Sequence, residues 1–126
     1  MKISSFTFPD QDNVNIFVSK WEPDTKSKAF VQIFHGLAEY AKLYTRVAEV
    51  LCKEGYICYA DDHRGHGLTA GDLTEVTLED HAGVLGSNGW TGVVNDIHEL
   101  SKIIRKNNPK RLIYLFNIWI IRSSRK

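Results

Sequence analysis

Two short stretches decide the fold of this chain: AFVQIFHG at residues 29–36 and YICYADDHRGHG at residues 56–67. Each begins as a nearly continuous apolar run and ends in polar residues and glycine. Runs of this kind are typical of strands that are buried on both faces of a parallel sheet. We therefore predict buried strands over residues 29–34 and 56–60, with polar loops at their carboxyl ends.

The segment between these strands has helical spacing. Over residues 41–54 the apolar side chains share one predicted face, which comprises Leu43, Val47, Val50 and Leu51. Gly55 is a natural terminator, since glycine adopts the left-handed conformation of the position after a helix without steric cost. Strand, helix and strand in this order predict a parallel pair joined by a right-handed crossover.

The flanking sequence extends this unit on both sides. Residues 4–8 and 14–21 alternate apolar and polar side chains around a polar turn, which predicts an antiparallel hairpin. A second amphipathic helix follows residues 73–88, which we predict to be a loop. Its predicted stripe starts with Trp90 as the first core residue and continues with Val93, Val94, Ile97, Leu100, Ile103 and Ile104. Residues 111–116 (RLIYLF) predict a further buried strand, so the fold class is α/β: a β-hairpin, then a β-α-β-α-β parallel sheet with flanking helices.

The composition bounds the classes of function. The 126 residues suffice for one domain, and 43% hydrophobic with 25% charged residues argue against disorder. A net charge of +1 gives no large field for nucleic acid or an acidic membrane surface. The first residues lack an apolar leader, and the apolar run at residues 112–121 is shorter than the roughly 20 residues of a membrane span. Cys52 and Cys58 form no CxxC motif, so we expect buried, inert thiols in a reducing, cytoplasmic setting.

Ligands of open α/β sheets bind at the carboxyl ends of the strands, which places the candidate site in the loops described above. A glycine after a buried strand, as in His35-Gly36, lets the backbone turn sharply and direct N–H groups at a ligand, or it simply makes a turn. In the second loop Gly65 and Gly67 permit positive φ. We expect Asp62 and Arg64 to pair there and to brace the loop without catalysing a reaction.

The histidines raise the alternative of a metal site. His63 and His66, together with His35 and His81, could supply nitrogen ligands. However, HxxH in a loop is common by chance, and no cysteine or glutamate stands at a diagnostic spacing. We expect no metal and no other cofactor.

Taken together, these residues resemble the opening of an α/β-hydrolase. The matching features are the strand ending in His35-Gly36, the helix after it, and Gly55-Tyr56. The DHRGHG motif (Asp62, His63, Arg64, Gly65, His66 and Gly67) narrows the resemblance to the monoacylglycerol lipase and lysophospholipase branch, which is grouped with the serine aminopeptidase S33-like hydrolases. The similarity runs from about residue 4 to residue 116, so we expect a truncated, N-terminal half of that fold.

The resemblance implies a mechanism. Enzymes of this branch attack an ester carbonyl with a serine, which is activated by a histidine that an acid orients. The substrate would be a small-molecule ester of the monoacylglycerol kind, and the reaction needs no cofactor. The backbone N–H of the residue after His-Gly, here Leu37, would donate to the oxyanion of the transition state, as would the N–H of the residue after the nucleophile.

The sequence departs from the family pattern after Phe116. The pattern places a nucleophile elbow there, with text close to Gly-His-Ser-Met-Gly, but residues 117–121 read NIWII. The acid and the histidine of the triad follow the serine in this fold, so no catalytic residue can be assigned. We therefore expect residues 1–116 to be the N-terminal part of an α/β-hydrolase domain, residues 117–126 to be an aberrant tail, and the chain to be inactive.

The tail also differs in charge. All fifteen acidic residues lie before residue 110, where the balance is −4, whereas residues 110–126 carry a balance of +5. A frameshift would explain this change, and so would a basic tail that binds an anionic partner. Three functions stay open. The first is an inactive hydrolase fragment. The second is a non-catalytic module whose basic tail and exposed sheet edge bind a partner, such as another hydrolase half, or a second copy, and the third is a metal-dependent hydrolase that uses the histidines.

Overall fold

The computed structural model describes residues 1–36, 39–70, 89–109 and 111–117. Its strands and helices are β1 (Lys2–Pro9), β2 (Asn15–Glu22), β3 (Ala29–Phe34), α1 (Thr45–Lys53), β4 (Tyr56–Asp61), α2 (Gly89–Asn107) and β5 (Ile113–Asn117). Short 3₁₀ helices occupy Ala41–Tyr44 and Gly67–Ala70. The strands form one mixed sheet in the order β1-β2-β4-β3-β5, which confirms the predicted α/β class.

The amino-terminal hairpin forms as predicted. β1 and β2 are antiparallel, from Lys2 opposite Glu22 to Pro9 opposite Asn15. The turn between them is held by the side chain of Asp10, whose Oδ1 accepts hydrogen bonds from the backbone N–H groups of Asp12 and Val14, both at 2.9 Å. β2 then pairs antiparallel with β4, which joins the hairpin to the rest of the sheet.

The parallel part of the sheet places three strand ends side by side. β3 lies between β4 and β5 and is parallel to both. The register sets Ile33 opposite Ala60 on one side and Phe34 opposite Asn117 on the other. The carboxyl ends of these three strands therefore meet at one edge of the sheet.

Alternate residues of β3 pack into two hydrophobic layers, one on each face of the sheet. Val31 and Ile33 belong to the layer that contains Ala48 and Cys52 of α1, whereas Phe30 packs with Leu100 and Ile104 of α2. The fully buried Gln32 also anchors α2. Its Nε2 donates to the carbonyl of Ile97 at 3.0 Å, and its Oε1 accepts from Ser101 Oγ at 2.6 Å. A buried amide needs such partners, so Gln32 sets the position of α2 on the sheet.

The predicted core face of the first helix is partly wrong. Leu43 is 53% exposed and Val50 is 62% exposed, while Val47 and Leu51 are only partly buried. The residues that face the sheet are Ala41, Tyr44, Ala48 and Cys52. The small side chains of Ala48 and Cys52 allow α1 to approach the sheet closely, and Val50 then lies on the opposite side because it is two residues from each.

The predicted stripe of the second helix is also partly wrong. Val93, Leu100 and Ile104 are buried as expected, but Trp90 is 56% exposed and Val94 is 59% exposed. Trp90 is therefore not the first core residue. The buried face of α2 includes the non-apolar positions Gly92 and Asp96, which rotate its centre away from Trp90 and Val94.

The last predicted strand forms, but it is not buried. β5 lies at the end of the sheet, and Leu112, Tyr114 and Leu115 are all more than half exposed. The apolar run predicted a buried strand, but β5 is more exposed because, among the described strands, it pairs with β3 alone. The predicted loop at residues 73–88 lies outside the described residues. Within the described ranges, no helix is both long and apolar enough to cross a membrane.

Candidate strand-end site

The predicted site loops do come together at the carboxyl edge of the sheet. His35-Gly36 follows β3, and the 62–67 loop follows β4. β5 brings Asn117 beside Phe34, so the chain leaves β5 next to His35-Gly36. Leu37, the predicted oxyanion donor, and His81 lie outside the described residues, as do residues 118–126.

Three histidines and Asp61 form a buried group at this edge, which we call the histidine cluster (His35, His63, His66 and Asp61). The rings of His35 and His63 stack with centroids 3.8 Å apart, and the His66 ring lies 5.1 Å from that of His35. Nδ1 of His63 is 2.9 Å from Asp61 Oδ2, and its Nε2 is 3.0 Å from the carbonyl oxygen of His35. Nδ1 of His66 lies 2.7 Å from the carbonyl oxygen of Arg64.

The two stacked imidazoles have opposite electrostatic surroundings. Burial and the neighbouring His63 lower the pKa of His35 to about 4. Burial also acts to lower the pKa of His63, but the Asp61 carboxylate and its hydrogen bond outweigh burial, and the net shift is upward. Of the two rings, His63 is therefore the one whose protonation the cluster favours.

Asp62 braces the loop, as predicted, but through backbone groups. Its Oδ1 accepts from the N–H of Ala41 at 2.8 Å, and its Oδ2 accepts from the N–H of Leu68 at 2.9 Å. Gly67 has φ +48°, and a Cβ at this position would clash with the Asp62 carboxylate. Glycine is therefore required at position 67 on both conformational and steric grounds.

The predicted pairing of Asp62 with Arg64 is replaced by a different ion-pair group, which we call the arginine cluster (Arg64, Asp10, Asp12 and Asp96). The Arg64 side chain is 3% exposed. Its Nε and Nη2 lie 2.6 Å and 3.1 Å from the two carboxylate oxygens of Asp96. Nη2 is 2.7 Å from Asp10 Oδ2, and Nη1 is 2.6 Å from Asp12 Oδ2. Arg64 thus ties the β1–β2 turn and α2 to the loop after β4.

Sequence reasoning missed the three aspartates of this cluster. Asp10 and Asp12 lie in the predicted polar turn, and the predicted stripe of the second helix, which counts apolar side chains alone, gives Asp96 no partner. The available signal was the position of Asp96, three residues after Val93 and four before Leu100 on one helical face. A carboxylate on the core side of a helix requires a buried partner, and Arg64 is that partner.

The charges of the arginine cluster affect each other. The hydrogen bond with Asp96, more than burial, controls the pKa of Arg64 and raises it, so this guanidinium is permanently charged. Burial raises the pKa of Asp96 to about 6, against the opposing effect of Arg64. Gly92 makes room for this group, since a Cβ there would lie 2.5 Å from Arg64 Nη1.

The described residues offer a braced scaffold. His35 and His63 engage both ring nitrogens in internal hydrogen bonds, so neither presents a free nitrogen to a substrate. In the described ranges, no three His, Cys, Asp or Glu side chains are grouped so that they could hold a metal ion. What this edge can do chemically is to hold the backbone of two loops rigidly next to the end of β5.

Comparisons with known proteins agree with this geometry. The family model for serine aminopeptidase, S33, matches residues 25–118. A monoacylglycerol lipase from Mycolicibacterium smegmatis is 37% identical over 89 residues, which cover 66% of this chain and 31% of that protein. The monoglyceride lipase of Rattus norvegicus is 31% identical over 66 residues, which cover 52% of this chain and 22% of that protein. The chain thus spans less than a third of these curated relatives.

Solved structures share the fold over nearly the whole chain. A thermostable carboxyl esterase from Bacillus coagulans superimposes with a TM-score of 0.77 at 25% identity, covering 91% of this chain and 36% of the esterase. A lipase in its open form gives a TM-score of 0.79 at 25% identity, with 92% and 36% coverage. The strand order, the strand-end loops and the family match over residues 25–118 lead to one conclusion: this chain belongs to the serine aminopeptidase S33 family of α/β-hydrolases, of which it is a partial, N-terminal member.

Proposed function

We propose that this chain is the N-terminal part of a serine hydrolase that cleaves carboxylic esters of the monoacylglycerol type, and that the 126 residues alone do not catalyse the reaction. The observation that carries the proposal is the end of β5. Asn117 lies beside Phe34, where the family's nucleophile elbow would begin, and the chain continues as NIWII without serine or glycine. A nucleophile elbow needs a serine on a strained turn that flanking glycines permit.

The substrate class is supported by the relatives. The similar proteins of Mycolicibacterium smegmatis and Rattus norvegicus are named as lipases of monoacylglycerols, and the carboxyl esterase of Bacillus coagulans has the same fold. All three names describe hydrolysis of a carboxylic ester. Ester hydrolysis through a serine passes through a tetrahedral oxyanion, which backbone N–H donors next to the nucleophile stabilise.

Within this proposal, the site residues position an oxyanion donor. The backbone N–H of Leu37 would supply one hydrogen bond to the oxyanion, and His35-Gly36 would set its direction. The 62–67 loop would support that turn from the neighbouring strand, as Asp62 already does by accepting the N–H of Ala41. Loss of one such donor typically lowers the rate by about 10²–10³.

The proposal also divides the chain. Residues 1–116 would be hydrolase sequence, and residues 117–126 a basic, aberrant tail that results from a frameshift. Reading the three frames of the gene beyond codon 116 tests this point. A frame that continues with a Gly-x-Ser-x-Gly elbow supports the frameshift, and the absence of such a frame contradicts it. The two buried cysteines, which carry no disulfide, support a cytoplasmic location.

Catalytic inactivity is tested with the purified 126-residue chain. We expect no hydrolysis of p-nitrophenyl butyrate or of a monoacylglycerol, and no labelling by a fluorophosphonate probe, which reacts with activated serines. The complete lipase of Mycolicibacterium smegmatis serves as the positive control. Labelling that disappears on Ser123→Ala or Ser124→Ala substitution would show an active serine in the tail and refute the proposal.

One observation favours a second candidate, a module that binds through its sheet edge. β5 ends the sheet, and within the described part of the chain nothing pairs with its outer edge, while Tyr114 and Leu115 are 51% and 63% exposed. Such an edge is a template for strand pairing with another hydrolase segment or a second copy. Light scattering tests self-association: we expect oligomers for the chain and fewer for Leu115→Lys. A monomer at all concentrations contradicts self-association.

A further inference from the structure

The hydrogen bonds of His63 constrain its charge. Its Nδ1 faces a carboxylate oxygen of Asp61 at 2.9 Å, and its Nε2 faces the carbonyl oxygen of His35 at 3.0 Å. A carbonyl oxygen can only accept, so Nε2 must carry a proton and donate it. A neutral imidazole has a single N–H, so Nδ1 carries a second proton unless Asp61 holds it.

An ionised Asp61 needs a group that compensates its charge. Asp61 is fully buried, and among the described residues its Oδ1 has no hydrogen-bond partner. Burying a carboxylate is costly unless a cation or several donors compensate its charge. Among the described residues, the group placed to compensate it is His63, whose Nδ1 lies 2.9 Å from Asp61 Oδ2.

His35 must then be neutral. Its Nδ1 lies 2.8 Å from the carbonyl oxygen of Gly36 and donates to it, while its Nε2 accepts from the backbone N–H of His63 at 2.8 Å. Because the two rings stack at 3.8 Å, a second positive charge on His35 would repel the first. The two residues thus exchange bonds: the ring of each holds the backbone of the other.

We propose that His63 is a buried imidazolium, paired with Asp61, that positions the turn after β3 by donating its Nε2–H to the carbonyl of His35. Burial opposes the charge, whereas Asp61, the hydrogen bond to the His35 carbonyl and Asp62 favour it. The next peptide is fixed as well, since the N–H of Gly36 donates to Glu39 Oε1 at 2.9 Å.

This inference rests on the proposed function in one respect, because the turn that His63 holds is the one proposed to carry the oxyanion donor. The charge state itself is independent of catalysis. His63 touches neither substrate nor reacting atoms in this account, so it is a positioning residue.

Histidine NMR on the 15N-labelled 126-residue chain tests the proposal. At about pH 7 we expect protons on both ring nitrogens of His63 in the parent chain. In Asp61→Asn we expect the pKa of His63 to fall below its value in the parent chain, because the carboxylate that favours the charge is gone. A single ring N–H on His63 in the folded parent chain at this pH, or an unchanged pKa of His63 in Asp61→Asn, would overturn the proposal.

The positioning role has its own readout. We expect the backbone N–H of Gly36 to exchange with solvent about tenfold faster in His63→Ala, which lacks the donor, and to stay closer to the parent rate in His63→Gln, which keeps an N–H donor. Equal exchange rates in the parent and His63→Ala would refute this role. None of these measurements reads esterase activity, so the outcome stands whether or not the chain proves inactive.

Discussion

Replacing Arg64 with methionine tests the arginine cluster most directly. The substitution keeps an unbranched side chain of similar length and removes the cation that, among the described residues, faces Asp10, Asp12 and Asp96. The Asp10 and Asp96 side chains are 0% and 2% exposed, so water cannot replace the lost partner, whereas Asp12 at 32% is partly solvated. Arg64→Met therefore leaves two buried carboxylates without their cationic partner.

The expected loss is large relative to the stability of a small domain. Removing one partner of a buried ion pair typically costs about 3–5 kcal/mol, against a total unfolding free energy of about 5–15 kcal/mol. We place Arg64→Met in this range near neutral pH. Because protonation neutralises carboxylates, the loss should shrink as the pH falls toward about 5.

Urea denaturation followed by tryptophan fluorescence, to which the 1% exposed Trp21 contributes, measures the unfolding free energy. The matched control is Arg64→Lys, which keeps the charge but not the two-point contact with Asp96, and should lose less. In Arg64→Met combined with Asp96→Asn, part of the lost unfolding free energy should be recovered, because the uncompensated Asp96 carboxylate is gone. A loss below about 1 kcal/mol for Arg64→Met, or no recovery in the double variant, would refute the assigned role of the cluster.

Three further predictions concern the packing and titration of the same core. Gly92→Ala should destabilise the chain by about 1–3 kcal/mol, because the added Cβ meets the buried guanidinium of Arg64. The control is Asn95→Ala, at an exposed position of the same helix, which should change stability by less than about 0.5 kcal/mol. Equal effects of the two substitutions in urea denaturation would contradict the clash. Since burial raises the pKa of Asp96 to about 6, the folded chain binds a proton that the unfolded chain has released, so stability should fall from about pH 4 to about pH 6. In Asp96→Asn the unfolding free energy should depend less on pH over this range. An unchanged pH dependence would contradict the raised pKa of Asp96. Burial raises the pKa of Cys58 to about 12 and also raises that of Cys52, so both thiols should react slowly with a disulfide reagent until urea unfolds the chain; rapid reaction of the native chain would disprove their burial.

The course of the backbone could be predicted well from local pattern. The hairpin, the buried strand β3, and the order of helices and strands follow from alternation, apolar runs and glycine positions, all of which act over a few residues. The strand-end location of the site also follows, because parallel strands bring their carboxyl ends to one edge. The DHRGHG motif could be placed at this edge from the sequence, because it directly follows a strand that the apolar run predicts.

Side-chain orientation and partnership could not be predicted in this way. The exposure of Trp90 and Val50 depends on which helical face contacts the sheet, and buried small or polar residues such as Ala48 and Asp96 decide it. The exposure of β5 depends on its place at the end of the sheet. An apolar run is compatible with either a central or an edge position.

By itself the sequence determined the fold class, the two strand-end loops and the absence of a serine elbow after Phe116, because these depend on residue types at short spacings. Only the tertiary structure decided that Arg64 meets Asp10, Asp12 and Asp96, and that His63 bonds to Asp61 and to the His35 carbonyl. Asp12 lies 52 residues from Arg64 along the chain, and Asp96 lies 32 residues from it. Such pairings are set by the register of the sheet and the docking of α2, and these arise from packing rather than from any local pattern.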